Sequence, residues 1–171
     1  MNLPVSKSML NVSADYPDLR DRYYQPNLTP LKPFIDPPGN LVILDQGKDG
    51  ACTGFALAAT INFIYRQQGR KHTVSPWMLY AMAKRHDEWL GEAYDGSSCR
   101  GAIKGWYNSG VCSDSLTKDI NHSNDFEMTL AIANNASNHR LGAYYRLERE
   151  ISDFHAALNE VGVIFVSARI H

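Results

Sequence analysis

A cysteine stands directly after a glycine-bearing polar loop, at the head of a long apolar run. Residues 45–56 read Asp45-Gln46-Gly47-Lys48-Asp49-Gly50-Ala51-Cys52-Thr53-Gly54-Phe55-Ala56. At the N-terminus of a helix the first amides lack partners and, with the helix dipole, stabilise negative charge. A thiolate placed there is a competent nucleophile. The same amides can hold the oxyanion that forms when a carbonyl is attacked. Gln46, upstream of Cys52, carries a side-chain amide that can supply a second donor, and Gly50 has no side chain to keep a substrate backbone away. A lone cysteine is ordinarily an inert buried thiol; the adjacent Gln46-Gly47 and Gly50 favour the nucleophile reading. Cys99 and Cys112 lack such surroundings and read as structural thiols. The spacings among the three match no zinc pattern, so no metal site is expected. Three is also too few and too odd a number for a disulfide scaffold, which points to a reducing, cytoplasmic setting.

The elements that must position these groups follow from patterning. Residues 52–66, CTGFALAATINFIYR, are apolar on nearly every face and read as a helix buried in the core, stopped near Gly69. Ser75-Pro76 is a helix cap followed by proline at the first helical position, opening a helix expected to run to about Trp89. Further helices are expected from about Cys99 to Asn108, within 125–135, and from Ser152 or Glu150 through Val161, where Ile151, Phe154, Leu158 and Val161 recur at helical spacing. The runs 41–44, 142–147 and 163–168 read as strands. Seven of the eight prolines fall in residues 1–40, which read as an irregular arm ahead of a single domain over 41–171.

Composition narrows the function classes. Among 171 residues, 17 basic and 18 acidic side chains leave a net charge of −1, which argues against a nucleic-acid partner. No apolar run is long enough to span a membrane, and Met1 to Leu10 show no secretory signal. Trp77, Trp89 and Trp106 read as packing residues, and Asp15, Asp18 and Asp21 as a solvated acidic face rather than a calcium loop.

The segment around Cys52 resembles the active-site stretch of papain-like cysteine peptidases, whose signature is C-G-[SA]-C-[WY]. Gly50, Ala51 and Cys52 match it; Asp49 stands where the family has a disulfide cysteine, and Thr53 replaces the aromatic residue. Asp45-Gln46-Gly47 is similar to the family's oxyanion-hole glutamine motif. Ser75-Pro76 with Leu79-Tyr80 is similar to the start of the family's second helix, Asp95-Gly96-Ser97-Ser98 to the loop lining its S2 subsite, and Gly110-Val111-Cys112 to a turn of bacterial relatives. The arm Asp18-Leu19-Arg20-Asp21 with Tyr24 and Pro26 also resembles those relatives.

The resemblance implies an α+β papain-like fold, with a helical left lobe and the start of a β-rich right lobe. It implies peptide-bond hydrolysis through a thioester on Cys52, Gln46 as oxyanion donor, and Gly50, Ser97 and Ser98 against a peptide or protein substrate, with no cofactor. In the family the catalytic histidine and asparagine follow the cysteine by ~130–150 residues, so the expectation here is an incomplete site, inactive as an isolated chain. His171 lacks the family's context, and His72, His86, His122, His139 and His155 read as loop or helix-surface residues. A non-catalytic peptide- or protein-binding module, or a cysteine-dependent acyl-transfer or deamidating effector, remains the alternative. The edge of the 163–168 run is expected to pair with a second copy or a partner chain.

Overall fold

The computed structural model describes residues 12, 15–27, 30–39, 41–88 and 95–168. Its centre is a three-helix core. Helix α1 (Cys52–Gln67) packs on α2 (Pro76–Arg85), and α2 packs on α3 (Cys99–Ser109). The shared core is Leu57, Ala58, Ile61 and Tyr65 of α1, Leu79 and Ala83 of α2, Ala102 and Trp106 of α3, closed by Val74 and Val111. The helices approach closely because two glycines face α2. A Cβ on Gly54 would lie 2.6 Å from the Pro76 carbonyl, and one on Gly105 would lie 2.8 Å from the Met82 backbone.

Local chemistry sets the boundaries. The hydroxyls of Ser75 and Ser98 accept the amides of Met78 and Gly101, capping α2 and α3. Helix α1 ends in a Schellman turn: Gly69, at φ 72°, donates to Arg66, and Arg70 donates to Tyr65. The second helix stops at Arg85, short of the expected Trp89, which lies outside the described residues. Helix α4 (Leu130–Ala136), capped by Thr129, seats Ile132 and Ala136 against Met78, Met82 and Cys112. Trp77 and Trp106 are packing residues, Trp77 edge-on to Phe55 with ring centroids 4.9 Å apart.

Three expectations are corrected. The runs 41–44, 142–147 and 163–168 are not strands in this structure. The pairing among the described residues consists of two isolated bridges, Tyr23 with Arg146 and Val74 with Ser113. A strand exists through its neighbour's hydrogen bonds, and hydrophobic patterning alone does not supply one. Leu41, Val42 and Ile43 accordingly lie exposed, while Leu44 reaches the core. Helix α5 (Ile151–Val161) forms as expected, but Ala156 and Ala157 are its buried residues, and Ile151 and Val161 face outward.

The third correction concerns the acidic arm. Asp21 is not solvated: its side chain is 5% exposed and is paired with Arg100 of α3 and, at 2.7 Å, with Arg146. Arg100 in turn lies 2.8 Å from Glu88 and donates to the Tyr16 carbonyl. Asp18 pairs with Arg20 and Lys104. Farther along, the Asn27 and Lys32 amides donate to Glu160 and Asn159 of α5. The proline-rich segment is therefore fastened to α3, to Arg146 and to α5.

Candidate active site

Cys52 is the first residue of α1 and is exposed, although the helix behind it is buried from Thr53 to Phe55. Ala51 occupies the cap position and offers no side-chain acceptor. The Phe55 amide returns to the Ala51 carbonyl, at 3.1 Å, which leaves the amides of Cys52, Thr53 and Gly54 without intrahelical partners. Those amides are the donors that an anion at this end of α1 would meet.

Gln46 is half-buried in the preceding loop. Its Nε2 donates to the Asp49 carbonyl at 2.9 Å. A primary amide has two N–H groups, so this bond engages one and leaves the other. Asp45 shapes the start of the loop by accepting the Gly47 amide at 2.8 Å, and Gly47 takes φ 64°. A cavity of about 410 Å³ touches Gln46 and Gly47 and is walled by Phe55, Trp77, Asp114 and Ile120; Cys52 is not part of its wall.

The loop at 95–98 lies against the other side of Gly50. A Cβ at Gly50 would sit 3.1 Å from the Asp95 carbonyl carbon and the Gly96 nitrogen. A side chain at position 50 would crowd this loop, a contact the sequence did not reveal. Tyr80 holds the same loop by accepting the Gly96 amide at 3.2 Å, and the Ser97 hydroxyl bonds to that of Thr53, next to Cys52. Ser98 is buried and committed elsewhere. Its hydroxyl caps α3 and its amide donates to Asp87.

The other thiols differ from Cys52 in setting. Burial pushes the Cys99 thiol up from its ordinary value, partly offset by a hydrogen bond with Ser167. Burial pushes Cys112 up to about 11. Four of the histidines have other contacts. His72 and His139 stack with ring centroids 4.4 Å apart, His122 lies 3.4 Å from Asp49, and His155 meets the Lys32 carbonyl. Among the described residues no hydrogen bond joins a histidine ring to Cys52, and His171 lies outside them. No group of three or more metal-ligating side chains occurs among them either, and no helix there is long and apolar enough to cross a membrane.

The contacts of Asp49 were not visible in the sequence. Its carboxylate accepts the Ser123 amide at 2.6 Å and faces His122, and the bond from Ser123 holds it below the usual carboxylate range. The partners lie more than 70 residues away, and no periodicity signals such a contact.

No family model matches the chain, and no curated protein matches it. Solved structures do. The fold is similar to that of xylellain, a cysteine protease from Xylella fastidiosa, with a TM-score of 0.74 at 24% identity. It is also similar to digestive procathepsin L 3 of Tenebrio molitor larval midgut, with a TM-score of 0.63 at 20% identity. The matches cover 85% and 81% of this chain, but 61% and 44% of those two chains. The protein has the papain-like fold, and the described residues correspond to its helical left lobe.

Proposed function

We propose that the protein acts on peptide bonds through a thioester at Cys52. The observation that carries this reading is an exposed cysteine at the uncapped N-terminus of a buried helix, with a tethered glutamine amide in the loop that precedes it. The Cys52 sulfur attacks the scissile carbonyl carbon, and the carbonyl electron pair moves onto oxygen. That oxyanion is stabilised by the Cys52 N–H and by the free N–H of Gln46. Collapse restores the carbonyl and leaves a thioester, the amine departing with the proton that the Cys52 thiol gave up, and water then cleaves the thioester. The chain's own residues supply nucleophile and oxyanion donors with no organic cofactor. Ser97, on the loop behind Gly50, and Gly50 itself flank the peptide. Ser98 contributes through the α3 cap.

Expulsion of an amine needs a proton, and among the described residues no hydrogen bond joins a histidine to Cys52. That placement favours a second reading, a papain-like module that binds peptides without cleaving them. An activated peptidyl ester separates the two, because its phenolate leaving group departs without a proton. We expect a stoichiometric burst and a Cys52 thioester visible by mass, absent in Cys52→Ser. Gln46→Ala should slow this acylation about 10²–10³-fold, the usual effect of one oxyanion donor. No Cys52 adduct, or an undiminished rate in Gln46→Ala, overturns the assignment.

A further inference from the structure

Asp49 is held from several sides at once. Its Oδ2 accepts the Ser123 amide at 2.6 Å and its Oδ1 lies 3.4 Å from His122 Nδ1. Its main-chain oxygen accepts Gln46 Nε2 at 2.9 Å. Its neighbour Gly50 is seated against Asp95 and Gly96. We propose that Asp49 is a positioning residue: its carboxylate, tied to the turn at Ser123, fixes the carbonyl that holds the Gln46 amide and so aims the free N–H of Gln46 at the oxyanion. This rests on the reading of Gln46 as an oxyanion donor.

A glutamine side chain turns about several bonds, and a donor contributes to a transition state only if it is aimed beforehand. Here the anchor is a backbone carbonyl in an exposed loop rather than a packed side chain. Such a carbonyl is only as fixed as its own residue. The charged hydrogen bond to Ser123, short as such bonds are, supplies that fixity across 74 residues of sequence. Gln46 is thereby steadied from the segment after α3, although it makes no bond to that segment. The charged and titratable groups facing the Asp49 carboxylate are His122 on the turn and Tyr80 of α2, whose hydroxyl feels the Asp49 charge.

The tether is read directly, without turnover, by a pH titration of the full chain followed by ¹⁵N NMR. The Ser123 amide and the Gln46 side-chain amide should shift together, with one midpoint below the ordinary aspartate range, and both steps should vanish in Asp49→Asn. A second variant, Ser123→Pro, removes the donor and leaves the carboxylate. Residue 122 is already extended, at φ −137° and ψ 149°, as a residue before proline must be. In that variant the Gln46 step should move up toward the ordinary aspartate range and its amide protons should approach free-glutamine shifts. A Ser123 step with a flat Gln46 signal overturns the inference, as does a Gln46 signal unchanged by Ser123→Pro. Either result leaves the Cys52 reading standing. Conversely, an undiminished acylation rate in Gln46→Ala removes the oxyanion role and leaves the tether measurable.

Discussion

Cys52, Cys99 and Cys112 give one side chain in three environments. Cys52 is exposed at a helix start, Cys99 is half-buried, and Cys112 is fully buried with its thiol pushed up to about 11. Iodoacetamide consumes thiolate, so near neutral pH the folded protein should label first at Cys52, with Cys99 and Cys112 following only on unfolding. Equal labelling of all three in the folded chain, read by peptide mass, would remove the thiolate argument. At this scale Cys52 and Gln46 could be singled out because the loop glutamine lies only six residues before the cysteine that opens α1. Ser98 stands just before a helix, and its hydroxyl caps α3 there. Asp49 was not legible as a tether, since its partners come from residues 122 and 123.

Between elements, ionic contacts fasten the arm that sequence composition set apart. Asp21, 5% exposed, bridges Arg100 and Arg146 over separations of 79 and 125 residues. The Arg100 bond, with help from Arg146, holds its carboxyl below the usual range against the opposing effect of burial. Asp21→Asn leaves two guanidinium groups facing an uncharged amide, and breaking a buried pair in this way costs about 3–5 kcal/mol. Urea unfolding should show that loss near pH 7. A carboxyl whose folded-state value is depressed stabilises fully above its unfolded value of about 3.9, and that contribution fades as pH falls through the lower folded value. The gap between wild type and Asp21→Asn should therefore narrow on strong acidification; a gap independent of pH would show that charge is not its source. Helices were legible from caps and spacing, as at Ser75-Pro76 and Gly69. The strands were not, because patterning records burial and leaves pairing unspecified.

Among the described residues, a formed helical lobe is joined to segments that carry apolar side chains without β-ladders. Leu41, Val42, Ile43 and Val166 are all more than half exposed, and the backbone on either side of them is not paired into a sheet. We propose that these apolar segments pair with another chain, either a second copy or a partner that adds a strand. At the same scale, the parts of a peptidase are unevenly present. On the proposed reading the thiol and its oxyanion donors come from α1 and the loop before it, while His72, His122, His139 and His155 have other contacts. Amides leave poorly without a proton, and acid–base help contributes ~10²–10⁴-fold. The 171-residue chain should therefore acylate on activated esters yet show no appreciable turnover of a fluorogenic peptide amide, and light scattering should give a mass above that of one chain. Robust Cys52-dependent amide cleavage by a monomer would defeat both expectations. A histidine of this chain would then have to reach the thiol, and single His→Ala variants would identify it by loss of cleavage.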